Sequence, residues 1–488
     1  MEVISNAMID WGERPNRPIK VVQFGEGNFL RAFVGWMLQE LTDAGIYKSD
    51  IAVVQPLEFG RINELAQQDG FYTLVQEGFK NGEFVSTMEL MDNLRVFVNP
   101  YEDYESYLKL AEIDTLEFIF SNTTEAGIVL DKSDRIENIP PKTFPGKLLA
   151  FLYHRYQTFD GAMDKGLFIV PCELIDDNGD ELYACVRSLA EIHQLEVGFM
   201  RWLDEANTFT NTLVDRIVPG YPANRIDEIT EELEYMDYNV VMSEIFHLWV
   251  IEDRNGISKI LDGTEVGLNI VFTDDIKPYK IQKVRILNGL HTLMLPVAYL
   301  KGIDTVGEAM EDELMLKFIK NATDLEIIPA STQYLSAEAL STFANDVYQR
   351  FNNPQIHHEL MSISLNSTAK FKSRLLPTAL DYVKKHGKFP SHIAFSLASM
   401  LVFFKGLRNG EKINLQDEPQ FLDFYADLWG RCGKLIDERG VVREFLGMTD
   451  HWEQDLNEIP GLTEEVLHYV ARILIDGMEI ALTNFLSE

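Results

Sequence analysis

The chain has 488 residues, 46% of them hydrophobic, and a formal net charge of −34, so it can bury the cores of two or three domains and lacks the basic footprint that nucleic acid or an anionic membrane surface requires. Three cysteines, Cys172, Cys185 and Cys432, have no metal-ligand spacing and suit a reducing cytoplasm without disulfides. Met1 to Arg17 carries Glu2, Asp10 and Glu13 and no apolar signal core, and the longest apolar run, Ile393 to Phe404, is too short to cross a bilayer, so a soluble cytoplasmic protein is expected.

The first element is a strand, Ile19 to Phe24, followed by the turn Gly25-Glu26-Gly27-Asn28-Phe29-Leu30-Arg31 and an amphipathic helix from Ala32 to Ala44. A strand, a GxG turn and a helix start can seat a dinucleotide pyrophosphate, because bare backbone and N-terminal N–H groups face the phosphates. Leu30 stands where the usual third glycine would be, and a plain tight turn reads the same way. Arg31 offers a cation to the phosphates, or is a surface residue.

Alternation continues with strand Ile51 to Val54, helix Glu58 to Gln68, strand Tyr72 to Gln76 and a β excursion at Phe84 to Leu90. Glu58 is the nearest carboxylate after the second strand, which leans the cofactor towards NAD and leaves NADP open. A helix at 101–111 leads to strand Leu116 to Phe120, whose carboxyl end carries Ser121-Asn-Thr-Thr124-Glu125-Ala-Gly127, a second candidate for cofactor contact or an ordinary capped turn. Helix 145–156, strand 166–172 and a helix to about His193 follow, and then mixed strands and turns to Phe272. Beyond Thr273 to Pro278 the strand signals fade and helical patterns run to the end, at 308–321, 337–351, 354–364, 374–385, 392–405, 419–437 and 463–488. The expected architecture is an α/β Rossmann-like N-terminal domain, 1–278, followed by an all-α C-terminal domain, 279–488.

One stretch combines an amine, an amide and an imidazole within a helical pattern: Lys283-Val-Arg-Ile-Leu-Asn288-Gly-Leu-His291. At about 100° per residue Lys283, Leu287, His291 and Met294 share a face, with Asn288 at its edge and Arg285 elsewhere. A lysine takes a proton from an alcohol when its surroundings bring it from ~10.4 towards ~7–8, and Asn and His can donate to the oxygen left as carbon loses hydride. A snorkelling lysine beside a core histidine carries the same residues.

Lys-x-x-x-x-Asn-x-x-His, with Gly25-x-Gly27-x-x-x-Arg31, Thr124-Glu125, Val214-Asp215-Arg216 and Arg350-Phe-x-Asn-Pro354, resembles the polyol-specific long-chain dehydrogenases, the mannitol dehydrogenase family, over residues 18–470. That resemblance implies a metal-independent NAD(P)-linked reaction in a cleft between the two domains, with Lys283 as general base, Asn288 polarising the reacting oxygen and His291 orienting substrate and lysine. Phe24, Gly25, Glu26, Gly27, Asn28, Phe29, Arg31, Glu58, Thr124, Glu125 and Asp215 would line the cofactor. Val22-to-Phe33 and Pro171-Cys-Glu-Leu-Ile are similar to the sugar-acid branch, which implies interconversion of an aldonate and its keto-uronate in hexuronate catabolism. Mannitol members carry a second oxyanion asparagine where this chain has Leu174. The carboxylate of such a substrate needs cations, for which Lys370, in the basic run Lys370-Phe-Lys372-Ser-Arg374, His357 and Arg350 are the candidates. The histidine pairs lack an i,i+4 ligand set, so no metal is expected. Other expectations remain open: fructuronate or mannonate, mannitol, or a polyol phosphate as substrate, or a non-catalytic nucleotide or sugar-acid binding protein. The sequence carries no signal for an oligomeric state.

Overall fold

Six short apolar runs, rich in β-branched and aromatic residues, form the centre of the N-terminal half. In the computed structural model they are β1 (Ile19–Phe24), β2 (Asp50–Val54), β3 (Leu94–Val98), β4 (Phe118–Ser121), β5 (Phe168–Pro171) and β6 (Thr208–Phe209). The structure describes residues 1–8, 14–80, 82–123, 126–354 and 358–487. Contacts divide the chain into two units, Met1–Ile276 and Lys277–Glu488.

In the first unit all six strands pair in parallel, in the order β3-β2-β1-β4-β5-β6. Strands covered on both faces read as near-continuous apolar runs, and β2 and β4 are buried throughout and apolar but for Asp50 and Ser121 at their ends. One face packs on the helix after β1, through Phe33, Met37 and Leu41. The other packs on helices Phe144–Thr158, Asn178–Ile192 and Val197–Ala206, through Leu148, Val186 and Trp202. The chain leaves β1 in opposite directions for β2 and β4, so the order reverses at β1/β4, where α/β sheets of this winding open a crevice at their carboxyl ends.

Several elements differ from the sequence expectation. Leu94–Val98 is a strand the alternation did not mark, and Tyr72–Lys80 extends into an antiparallel hairpin with Glu83–Met91. The helix expected from Glu58 starts at Ile62, because the Gln55 amide donates to the carbonyls of Leu57 and Glu58 and holds that segment as a loop. The helix expected over 32–44 begins at Asn28 and contains a π turn, Arg31–Gly35, between Asn28–Leu30 and Trp36–Asp43.

The second unit is almost wholly helical. Ser391–Phe403 and Gly289–Lys301 are apolar on nearly every side, pack on each other and form its centre, with the Ser396 hydroxyl donating to the Leu293 carbonyl at 2.8 Å. Ala337–Phe351 is a helix over the expected residues. The expected 308–321 helix splits at Asp312, whose carboxylate caps Glu313–Ala322 by accepting from Met315 N at 3.0 Å. The last helix breaks at Gly477, which has φ 81°, into Leu462–Asp476 and Met478–Phe485. Of 354–364, the described part holds only the helix Leu360–Ile363. Helix 419–437 stops at Arg431, and a two-residue-per-strand hairpin, Leu407–Arg408 with Glu411–Lys412, interrupts the helical pattern. Among the described residues no helix is long and apolar enough to cross a membrane.

Candidate functional site

The glycine turn leaves the carboxyl end of β1. Gly25 has φ 126°, donates to the Val54 carbonyl at 2.9 Å and sits so close to β4 that a Cβ there would lie 3.3 Å from the Asn122 carbonyl oxygen. Only glycine meets both demands at low cost. Gly27 differs: it has ordinary backbone angles, and a Cβ there would meet nothing within 4 Å. The backbone is therefore bare and open where the helix begins. That is the geometry a pyrophosphate uses, and the residues present fit a dinucleotide at this point.

Around this turn the predicted residues divide. The Phe24 ring is buried against Phe144, Tyr107 and Phe151, leaving only its backbone at the crevice. Phe29 stacks on Phe33. Arg31 is a correction to the idea of a phosphate-facing cation, because its guanidinium is drawn inward. It donates to the carbonyls of Glu26 and Asn239 and to Asn28 Oδ1, and stands 5.1 Å over the Tyr72 ring. Burial lowers it to about 10. Glu26 accepts from Arg61 N at 3.2 Å and so pins the loop that carries the exposed Glu58 at the end of β2. Asp215 is buried at the end of the strand Thr212–Asp215. Thr124, Glu125 and His357 lie outside the described residues.

A π turn leaves carbonyls without their usual α-helical donors, and side chains distant in sequence supply them here. Tyr72 Oη donates to Arg31 O at 2.8 Å, Asn93 Nδ2 to Gly35 O at 2.7 Å, and Arg216 to Ala32 O. Arg216 also donates to Gln76 and to Glu244 O, and covers the Trp36 ring. The sequence motif Val214-Asp215-Arg216 thus contains a brace for the helix that follows the glycine turn.

Glu173, in the Pro171-Cys-Glu-Leu-Ile run, had no role on sequence grounds. Its carboxylate is buried at the ends of β4 and β5 and accepts from Thr123 N at 2.9 Å, Thr123 Oγ1 at 2.9 Å and Ser121 Oγ at 3.0 Å. Burial pushes it above the ordinary carboxylate value, against these bonds. Glu173 therefore shapes the turn after β4. Leu174 beside it is exposed.

In the second unit Lys283–Asn288 is also a π turn, between helices Lys277–Gln282 and Gly289–Lys301. The α-helical phase assumed from the sequence is therefore corrected: i→i+5 closure brings Asn288 about one turn after Lys283. Single π turns inside α-helices recur at functional sites. Lys283 and Asn288 are half-buried, and the Asn288 carbonyl accepts from Thr292 Oγ1 at 3.1 Å.

His291 is buried, stacked 4.3 Å from Phe351 and edge-on to His358 at 4.9 Å. Its Nε2 has no hydrogen-bond partner among the described residues. Burial first, then His358, Arg374, Arg350 and Lys370, hold its imidazole well below the ordinary value, so it is neutral near pH 7. The same perturbation identifies a cluster: His358 touches the ring, and the charges of Arg374, Arg350 and Lys370 act on it. Arg350 is buried in the last turn of Ala337–Phe351. Lys370 Nζ donates to the Ile363 carbonyl at 2.9 Å, and Arg374 Nη1 reaches Thr292 Oγ1 at 3.5 Å. Burial and then Arg374 lower Lys370, against Asp417, and burial lowers Arg374. Lys372 of the same run pairs with Glu453 at 2.9 Å, whereas among the described residues neither Lys370 nor Arg374 is in a salt bridge. His358 and Arg374 were not chosen from the sequence, though Arg374 belongs to the basic run noted there. Among the described residues no group of three or more His, Cys, Asp or Glu could hold a metal ion.

Residues 19–262 match the family described as mannitol dehydrogenase Rossmann domain, and residues 275–474 match mannitol dehydrogenase C-terminal domain. The chain is 45% identical to the altronate oxidoreductase of Bacillus subtilis strain 168, over 96% of this chain and 95% of that one. It is 42% identical to the altronate oxidoreductase of Escherichia coli strain 536, over 95% and 96%. Among solved structures it is similar to a D-sorbitol dehydrogenase in substrate-free form, with TM-score 0.79, 22% identity and coverage of 98% and 100%. A second is Pseudomonas fluorescens mannitol 2-dehydrogenase in ternary complex with NAD and D-mannitol, with TM-score 0.67, 21% identity and coverage of 97% and 95%. The two solved structures bear on the fold alone.

Proposed function

The chain belongs to the mannitol dehydrogenase family and is an oxidoreductase of the polyol and sugar-acid class, and we propose that it interconverts D-altronate and D-tagaturonate with NAD as hydride carrier, in hexuronate catabolism. The observation that carries the substrate reading is the basic cluster on His291, in which Lys370 and Arg374 are half-buried and outside any salt bridge among the described residues, although Asp417 acts on Lys370. A charge taken partly out of water needs a counter-charge. A substrate carboxylate supplies one, and the two altronate oxidoreductases point to the same class.

Lys283 removes the proton from the reacting hydroxyl in oxidation and returns it in reduction. Asn288 donates from its amide to the oxygen as charge develops there, and His291, neutral, orients substrate and lysine through the unpartnered Nε2. Arg350, Lys370 and His357 hold the rest of the sugar acid. The open backbone at Gly25–Gly27, the start of the following helix, Glu58, Asp215 and the turn after β4 with Thr124 and Glu125 would hold the cofactor. The nicotinamide supplies or accepts the hydride when bound. The exposed Glu58 carboxylate, if it takes the ribose, would favour NAD over NADP, since a 2′-phosphate would meet like charge.

A substrate panel tests the assignment. Tagaturonate should be reduced with the highest kcat/KM when NADH oxidation is followed with tagaturonate, fructuronate, fructose and a keto-sugar phosphate. Preference for fructose or for the phosphate would reassign the substrate, and no turnover with any would remove the catalytic reading.

A further inference from the structure

Arg285 belongs to the same π turn as Lys283 and Asn288 but enters a different network. Its guanidinium is buried, donates from Nη2 to Asp381 Oδ2 at 2.6 Å and stands 4.8 Å over the Tyr334 ring. Asp381 lies on the helix Leu376–His386. The same Oδ2 accepts from Gln333 Nε2 at 3.0 Å and Tyr334 Oη at 3.2 Å, and Oδ1 faces Lys384 Nζ at 3.4 Å. Burial opposes ionisation of this carboxyl, yet its bonds to Arg285, Lys384 and Tyr334 hold it below the ordinary range. A groove of about 470 Å³, lined by Arg285, Tyr334, Asp381 and Lys384 among others, opens onto the pair.

A π turn takes in one residue more than an α turn, so relaxing Lys283–Asn288 to α geometry would swing Lys283 by about 100° relative to Asn288 and His291. The geometry is uncommon by itself and persists where tertiary contacts impose it. A charged, buried tie from the middle of the turn to another helix is such a contact.

We infer that the Arg285–Asp381 pair is a positioning device for catalysis, holding the π turn so that Lys283 and Asn288 keep their mutual setting. This rests on the reading of Lys283 as base and Asn288 as oxygen partner. Neither Arg285 nor Asp381 need touch substrate or cofactor.

The test uses the full chain with Arg285→Ala, Asp381→Asn and, alongside them, Lys283→Ala. Misplacing a base by about 1 Å costs on the order of 10²-fold, and that loss of kcat is expected in both brace variants with KM for NADH unchanged. Methylguanidinium at non-denaturing concentration should enter the groove left by Arg285→Ala and restore turnover in a saturable way, with no effect on Lys283→Ala. Should Arg285→Ala fail to fold, Asp381→Asn decides by the same fall in kcat. Wild-type kcat in Asp381→Asn, or an Arg285→Ala enzyme whose lost turnover methylguanidinium does not restore, overturns the inference. Retained activity in Lys283→Ala instead overturns the base assignment, so the two failures are separable.

Discussion

The His291 ring lies 4.3 Å from Phe351, inclined by 25°, so one face of the imidazole is closed by an aromatic, while His358 meets it edge-on and the charges of Arg374, Arg350 and Lys370 act on it. This placement explains how a histidine in a strongly acidic protein stays neutral. It also gives the site a neutral hydrogen-bonding group amid cations.

Stability should fall in acid through this ring. The folded state holds His291 below its ordinary value of ~6.5, so as pH drops through that value the unfolded chain takes a proton the native state refuses. The contribution is complete above about pH 6.5 and declines by up to ~1.4 kcal/mol per pH unit below it, until the folded ring itself titrates. His291→Phe keeps the stacking and removes the titration. Melting temperatures across the range from about pH 7.5 to 5.5 should therefore fall more steeply for wild type than for the variant. Parallel falls would show that His291 is not held neutral.

The basic cluster predicts a split between substrates. Lys370→Ala and Arg374→Ala each remove a charge-assisted contact worth roughly 1.5–3 kcal/mol, so KM for the sugar acid should rise on the order of 10- to 100-fold while KM for NADH stays put. Added salt should raise the wild-type KM for the acid in the same direction. Equal effects on both substrates would place these cations outside the carboxylate site.

The two glycines of the turn should separate folding from binding. Gly25→Ala forces a side chain into φ 126° and within 3.0 Å of Leu30 Cδ1, so it should lower the melting temperature as well as cofactor affinity. Gly27→Ala meets nothing within 4 Å and has ordinary angles. Its melting temperature should be unchanged while NADH, measured by calorimetry, binds more weakly because the bare backbone is covered. Unaltered affinity in Gly27→Ala would move the pyrophosphate elsewhere.

Arg216→Met tests the brace on the first π turn. Removing a buried cation that satisfies Ala32 O, Glu244 O and Gln76 leaves acceptors unpaired, at a cost of roughly 3–5 kcal/mol in chemical denaturation. A cost below about 1 kcal/mol would mean that water replaces the guanidinium without strain.

What could be read from the sequence follows from range. The strand Ile19–Phe24, its glycine turn and the change to helical periodicity after Thr273 are local patterns, and they carried the fold class. The π turns are not local. Whether Arg31–Gly35 closes as α or π depends on Tyr72, Asn93 and Arg216, which reach it from elsewhere in the chain. The phase of Lys283, Asn288 and His291 departs from the α-helical one for the same reason. Lys370 and Arg374 were visible as a basic run, but only the folded chain brings them to His291 with Arg350 and His358. Glu173 carries no local signal of its role, which comes from Ser121 and Thr123, some fifty residues away, donating to its buried carboxylate.

The most direct test is turnover of Lys283→Ala with tagaturonate, followed by NADH absorbance, with NADH binding measured on the same preparation. The account predicts a kcat lower by roughly 10²- to 10⁴-fold with cofactor affinity retained. Turnover within about twofold of wild type, a difference of only ~0.4 kcal/mol in the barrier, would contradict it.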